Sequence, residues 1–244
     1  MLSRFKAFFV HLIGSLVIGL GALALVFFLW YPAPLHLALG VTSVFMLLII
    51  VDITLGPLLT FLIYQPGKKT LKFDLVVIVV LQLLALSYGL WAVIQGRPVW
   101  LVLNADRFDV VQAVDIDIRR INEAFPRYQA PAWTGPHWVA AVHPDGIERR
   151  NEILFEAAQG GSDIAQRPEL YRPLSDASEQ MQVRARSLSS LSQFNDHAAV
   201  AAMLAAWPQA TGWLPLMARV QPMVVLLSVD NTAVLAIVPL RPWL

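Results

Sequence analysis

Residues 41–64 read VTSVFMLLIIVDITLGPLLTFLIY, an apolar run that contains one acidic residue, Asp52, and the pair Gly56-Pro57. A helix rises about 1.5 Å per residue, so a run of this length can cross a hydrocarbon core of roughly 30 Å. Apolar runs over residues 8–30 and 75–94 lie on either side of it. Three such runs joined by short connectors predict an integral membrane protein with three transmembrane helices.

The lysines predict the orientation of these helices. Lys6 precedes the first run, Lys68, Lys69 and Lys72 lie between the second and third, and the last 148 residues contain none. Basic connectors stay in the cytoplasm, so the N-terminus is expected inside and the chain after Ile94 outside. The three central lysines are interpreted as determinants of topology that also attract anionic lipid headgroups.

The first run could also be a cleaved signal peptide, since Ala22-Leu23-Ala24 resembles a cleavage site. The apolar stretch continues to Trp30, which favours an uncleaved anchor.

Asp52 is the residue of the membrane region that needs an explanation. A carboxylate near mid-bilayer costs about 2.5–3.5 kcal/mol on insertion scales unless it is protonated or partnered. The same depth in the third run predicts Ser87 or Tyr88 as its hydrogen-bond donor. Asp52 is either a polar link within the bundle or a contact for a polar group on another protein's transmembrane helix. His11 is interpreted as an interfacial residue, and Gly56-Pro57 is expected to kink the second helix.

Residues 97–244 are expected to form one extracytoplasmic α+β domain, and residues 1–96 the three-helix anchor. The later segment carries 13 arginines against 15 acidic residues, which excludes a basic surface for nucleic acid. Strands are predicted over residues 98–104 and 137–143, and a hairpin over 223–229 and 233–239. Helices are predicted over residues 114–125, 146–158 and 198–207, and from Ser175. A fourth membrane span over residues 220–240 is the alternative to the hairpin, opposed by Pro222 and Asp230-Asn231.

No motif in the chain indicates catalysis. There is no nucleophile elbow, phosphate-binding loop, zinc-helix motif or dinucleotide fingerprint, and no cysteine. His137 and His143 lack an obvious third metal ligand. We therefore expect a protein that is not an enzyme and uses no cofactor or metal.

Several short motifs resemble the TfpX/TfpZ family of type IV pilin accessory proteins, most strongly over residues 3–115. The matching stretches are Ser3–Phe8, His11-Leu12, Leu29–Pro32, Val51-Asp52, Leu55–Thr60, Pro66–Lys69, Leu71–Leu75, Gln82, Tyr88–Leu90, Gly96–Val99 and Asp106–Phe108.

The resemblance implies a bacterial inner-membrane protein with a periplasmic domain that supports type IV pilin stability or assembly. It implies an intramembrane partner-binding signature of Asp52, Gly56 and Pro57, to which we add Tyr88. The resemblance further implies a cytoplasmic signature, which consists of Lys68, Lys69, Lys72 and Asp74. It also implies a juxtamembrane signature, which consists of Arg97, Asp106 and Arg107.

One hypothesis is that the bundle shelters the apolar N-terminal helix of a pilin while the outer domain covers the pilin head. The main alternative is a membrane-anchored sensor or enzyme whose periplasmic domain binds a small ligand. A structural subunit of an envelope complex is a third.

Overall fold

The computed structural model describes residues 2–243, which form two compact units. The helical unit consists of the described residues up to Trp30 together with Val41–Gly96. The sheet unit consists of Tyr31–Gly40 together with the described residues from Arg97 onward.

Three long helices make up the helical unit. α1 spans Leu2–Ala24 and continues as a π-helical segment over Leu25–Trp30. The short α2, Leu35–Ala38, belongs to the sheet unit, and the helical unit resumes with α3, Val41–Ile63, and α4, Leu71–Gln95. All three long helices have the length and composition needed to cross a membrane, which confirms the three predicted apolar helices.

α3 is the middle helix of this unit. α1 and α4 each pack along it and touch each other only slightly. The buried stripe of α3 follows the helical repeat of three to four residues and consists of Val41, Phe45, Ile49, Asp52, Gly56 and Thr60. Two of its six members, Asp52 and Thr60, have polar side chains, so the helices meet across a partly polar surface.

The sheet unit is built on a mixed sheet of seven strands. They are β1 (Pro98–Asn104), β2 (Arg107–Gln112), β3 (His137–Ala141), β4 (Tyr171–Pro173), β5 (Gly212–Met217), β6 (Met223–Ser228) and β7 (Ala233–Val238). Their order across the sheet is β4-β3-β1-β2-β5-β6-β7. The β1–β3 and β2–β5 pairs are parallel and the other neighbours antiparallel.

The central strand β1 is buried along its whole length. Successive strand residues point to opposite faces, so Leu101 and Leu103 enter one core cluster and Trp100 and Val102 enter another. The helices α5 (Ile147–Ala158), α6 (Ser178–Arg184) and α7 (His197–Ala206) follow in the chain, and each contributes a buried residue to a core cluster. Burial on both faces accounts for the unbroken apolar run over residues 98–103, where a strand with one exposed face would alternate.

The connector between α1 and α3 is part of the core of the sheet unit. Leu35 and Ala38, 2% and 0% exposed, pack with Leu101, Phe108 and other residues of the first cluster. The backbone N–H groups of Val220 and Gln221 donate to the carbonyl of Ala38 at 3.1 and 3.0 Å. Tyr31–Gly40 is therefore an integral piece of this unit.

Most elements predicted for residues 97–244 are confirmed. The strand over 98–104, the hairpin of β6 and β7 and the helix α7 lie where expected, and the Asp196 carboxylate caps α7 by accepting from the N–H groups of Ala198 and Ala199. The hairpin loop holds four residues, Val229–Thr232, rather than three. Among the described residues no fourth helix is long and apolar enough to be a span.

The predicted helix over residues 114–125 is wrong. The segment forms two short 3-10 turns, Ala113–Asp115 and Ile121–Glu123, and Ile118 is 71% exposed. Between the turns, the N–H of Asp117 donates to the carbonyl of Gln166 at 2.8 Å. This contact with a distant loop replaces the bonds that a helix would need.

Asp117 belongs to a network of four charged residues. The Arg119 guanidinium donates to the carboxylates of Asp117 and Glu156, at 2.6 and 2.8 Å, and the buried Arg167 pairs with both. Hydrogen bonds from Arg119 are the main reason that the pKa values of Asp117 and Glu156 are lowered to about 2. The network holds residues 117–119 against α5 and the loop at Arg167.

The network predicts acid sensitivity. A carboxyl group with a lowered pKa contributes stability that is complete above its unfolded value, about 4, and is lost as pH falls toward about 2. Thermal melting of the full-length protein in detergent should therefore decline between these pH values. Arg119→Gln, which removes the donor to both carboxylates, should flatten that decline. The control Arg120→Gln removes a 3.4 Å pair with Glu123, outside the four-residue network, and should leave the slope nearly unchanged. Equal slopes in both variants would refute this account.

The buried connector predicts a stability effect. Leu35→Ala should destabilise the sheet unit by about 2–5 kcal/mol, because it leaves a cavity in the core. Leu37→Ala is the matched control, since Leu37 lies in the same short helix and is 43% exposed. Denaturant melts of the full-length protein measure both changes. Equal effects would contradict the placement of the connector.

Candidate functional site

Five polar residues from the three long helices form a cluster inside the helical unit. The cluster consists of His11, Ser15, Asp52, Thr60 and Gln82, and its members from α3, Asp52 and Thr60, are 8% and 3% exposed. Polar groups in an apolar environment are costly unless they bond to one another, so these side chains define how the helices face each other.

The amide of Gln82 in α4 lies at the centre of the cluster. Its Nε2 donates to the Ser15 hydroxyl of α1 and to the backbone carbonyl of Asp52 in α3, both at 2.9 Å. Its Oε1 lies 2.9 Å from Nε2 of His11, whose Nδ1 lies 2.6 Å from the Thr60 hydroxyl. Because the oxygen of an amide can only accept, Nε2 of His11 donates to Gln82.

The predicted pairing of Asp52 with Ser87 or Tyr88 is wrong: the residue of α4 that donates to Asp52 is Gln82, and it does so at the backbone carbonyl. Tyr88 is 70% exposed and stacks on Trp91 with 5.9 Å between ring centroids. α4 begins at Leu71, one helical turn before the predicted start of the span. Asp52 lies 11 residues before the end of α3 and Gln82 lies 11 residues after the start of α4. The prediction counted residues from position 75, four residues after the true start of α4, and so placed the partner of Asp52 about one helical turn too far along the chain.

His11, expected to be an interfacial residue, is a member of the cluster, and its partner Thr60 lies three residues before the end of α3. Because α1 begins at Leu2, His11 lies more than two turns inside the helix and bonds to both other helices. The spacing of Gln82 in the sequence could have indicated its role. Gln82 lies at helical spacing from Ile78, Leu86 and Gly89, which are the buried residues on one face of α4. A polar residue at a buried position of an apolar helix indicates a partner.

Gly56 gives Gln82 the space that it occupies. A Cβ atom on Gly56 would overlap the side-chain amide of Gln82. Pro57, the next predicted residue, is buried within a continuous α3. Gly56 and Asp52 thus lie against the same amide, as members of one site.

The other predicted residues lie elsewhere. In the connector before α4, Lys68 pairs with Asp74 at 2.7 Å, and Lys69 and Lys72 are exposed. Arg97 is buried at the start of β1, where its guanidinium donates to the carbonyl of Ala132 at 3.3 Å.

Asp106 and Arg107 lie at the opposite end of β1 from Arg97. Arg107 donates to Asp109 at 2.9 Å. Burial raises the pKa of Asp109 even though Arg107 favours its charged form. The structure therefore does not bring the three predicted juxtamembrane residues together.

Two cavities adjoin the polar cluster. The larger, 390 Å³, lies between α1 and α4, and the smaller, 210 Å³, lies between α3 and α4. Asp52 and Gln82 line both. Within the described residues, no group of three or more His, Asp or Glu side chains could hold a metal ion.

The close fit of Gly56 and Gln82 predicts a stability difference between two glycines. Gly56→Ala should destabilise the helical unit by about 1–3 kcal/mol, because Gln82 must abandon its hydrogen bonds to make room. Gly21→Ala in α1 meets no atom within 4 Å and should be neutral or gain up to about 1 kcal/mol of helix propensity. Circular dichroism of detergent-solubilised protein during unfolding measures both. A neutral Gly56→Ala would show that the Gln82 amide is not held in place.

Comparison with known proteins identifies relatives of the chain. The family model of the fimbrial assembly protein FimB matches residues 1–40. The chain is 33% identical over 189 residues to the fimbrial assembly protein, serogroup E1, of Dichelobacter nodosus, covering 76% of this chain and 73% of the relative. It is 32% identical over 182 residues to the serogroup I protein of that organism, covering 74% and 70%.

An alignment of 189 residues cannot fit within residues 3–115, so the likeness also extends into the sheet unit. No solved structure matches the chain. The TfpX/TfpZ resemblance is consistent with these relatives. On the identity and coverage of these two matches, the chain belongs to the fimbrial assembly protein family.

Proposed function

We propose that this protein resides in the bacterial inner membrane, where it binds type IV pilin and supports the stability of pilin or its assembly into fibres. The observation that carries the proposal is the hydrogen-bonded cluster around Gln82, set within three apolar helices of a chain whose relatives are named fimbrial assembly proteins. The protein acts by binding, without catalysis, and the pilin subunit is its partner.

The structure of the α1–α3 connector supports the proposed orientation. Tyr31–Gly40 packs in the same compact unit as the residues from Arg97 onward. Both segments must then lie on one side of a bilayer that α1, α3 and α4 cross. The lysine-containing connector between α3 and α4 falls on the other side, where basic residues are retained in the cytoplasm. The sheet unit is accordingly periplasmic.

The polar cluster supports a role in recognition within the membrane. A bundle held together only by apolar packing needs no carboxylate near the middle of its helices, since a buried acidic group is costly there. Asp52 lines two cavities as well as adjoining Gln82, so it is available to a group that enters from outside the bundle. Hydrogen bonds between transmembrane helices contribute about 0.6–2 kcal/mol each and make association selective.

Deletion of the gene should lower the amount of pilin in the cell or the number of surface pili. Immunoblots of whole cells and electron microscopy measure the two quantities, and expression of the intact gene from a plasmid should restore both. Wild-type pilin levels together with wild-type piliation in the deletion strain would refute the proposed function.

Asp52 variants test whether the cluster takes part. Asp52→Leu removes charge and hydrogen bonding and should lower piliation several-fold, and Asp52→Asn, which keeps the shape and one acceptor, should have an intermediate effect. Thr54→Leu is the matched control, because Thr54 lies on the exposed face of α3 and bonds only to its own helix, at the carbonyls of Ile50 and Val51. Normal piliation in both Asp52 variants, at unchanged protein levels, would reduce Asp52 to a packing role.

A further inference from the structure

The helical unit has an open seam between its two outer helices. α1 and α4 both pack mainly on α3, and they meet each other where the Gln82 side chain of α4 bonds to His11 and Ser15 of α1. The 390 Å³ cavity lies in this seam. Its walls are Val10, Gly14 and Ile18 on α1 and Val79 and Leu83 on α4, all exposed. From Ala7 to Ile18 the α1 wall runs for about 17 Å at the helical rise, roughly half of a hydrocarbon core.

The floor of the seam differs from its walls. Asp52 and Thr60 of α3 form the floor, with His11 and Gln82 at its sides. A lipid chain could cover the apolar walls but has no group to bond to an acidic and hydroxyl-bearing floor. A helix can cover the walls and also present a polar side chain to the floor, and interhelical hydrogen bonds of this kind occur within membranes.

Gly14 gives the seam room for close approach. Nothing lies within 4 Å of the position that a Cβ atom on Gly14 would occupy. Small residues let the backbones of two helices approach closely, which increases their van der Waals contact. The α1 wall is therefore shaped for a helix.

We infer that the seam between α1 and α4 is the seat of a fourth apolar helix, which comes from the partner and carries a hydrogen-bond donor at the level of Asp52 and Gln82. Seated there, it touches α1 and α4 and lies opposite α3, which completes a four-helix arrangement around the polar cluster. The inference rests on the proposed function, under which this helix is the membrane-embedded helix of pilin. The inference adds two points to the proposed function: pilin binds at the face between α1 and α4, and its helix must present a hydrogen-bond donor there.

Two glycines of α1 allow a matched test. Gly14→Leu places a bulky side chain in the seam, whereas Gly21→Leu makes the same change on the same helix outside the lining of the cavity. Neither added Cβ meets an atom within 4 Å, and leucine has the higher helix propensity, so both variants should be at least as stable to melting as the parent protein. Gly14→Leu should lower co-purification of pilin with the full-length protein from detergent extracts about tenfold, equivalent to about 1.4 kcal/mol, and Gly21→Leu should lower it much less.

Photo-crosslinking from the seam locates the partner helix directly. A photoreactive residue at Leu83, in the seam, should give an adduct with pilin, and the same residue at Leu47 should not. Leu47 is a suitable control because it is 64% exposed on α3 and does not line the cavity.

The outcomes separate the two proposals. If parent protein captures pilin but Gly14→Leu and Gly21→Leu capture it equally, or Leu83 and Leu47 label it equally, the seam is not the seat and the proposed function stands. Lipid adducts alone at Leu83, with pilin still co-purifying, would make the seam a lipid site and overturn the inference. If the parent protein captures no pilin at all, the proposed function itself fails, and this inference with it.

Discussion

The hydrogen bonds of the Gln82 amide fix how the three apolar helices face one another. Apolar side chains can pack in many rotations about a helix axis, because one leucine surface resembles another. An amide that donates to Ser15 and to the Asp52 carbonyl, and accepts from His11, permits only one rotation of each helix. Gly56 is required at the same level because any side chain there would displace the amide. The buried stripe of α3 and the seam beside it follow from this arrangement.

The same bonds join α1 to α4 at the polar cluster, while both helices pack mainly on α3. Both helices are drawn to the polar face of α3, and their apolar sides beyond the cluster stay uncovered. In water such a surface would collapse or aggregate, but hydrocarbon solvates it at little cost. A membrane protein can therefore keep an apolar binding surface open while the amide of Gln82 stays hydrogen-bonded inside the bundle. Selectivity then depends on the floor of the seam, since the walls resemble the lipid that they displace.

The sequence predicted the elements whose signals are local. Apolar length predicted the three helices, and β-branched runs beside turn residues predicted the strand over 98–104 and the final hairpin. It failed where distant residues decide the outcome. Asp117 bonds to the loop at Gln166 and Arg167, so the segment over 114–125 is not a helix even though its apolar spacing suits one. The role of Gln82 was missed because α4 begins at Leu71, one turn before the apolar run that starts at residue 75. Counting from the apolar run alone places Gln82 too close to the end of the helix to face Asp52.

The position of Leu35 and Ala38 in the core of the sheet unit could not be predicted either, because a short apolar connector between two spans resembles interfacial sequence.

The burial of Leu35 and Ala38 in the sheet unit has a consequence for the order in which the chain can fold. The chain enters this unit at Tyr31, leaves it at Gly40 and returns at Arg97, so α3 and α4 are an insertion within a discontinuous domain. The core of the sheet unit cannot close during synthesis until the inserted helical pair has been made. A cut in the connector between α3 and α4 would leave each fragment with part of both units, and the two fragments would remain interlocked.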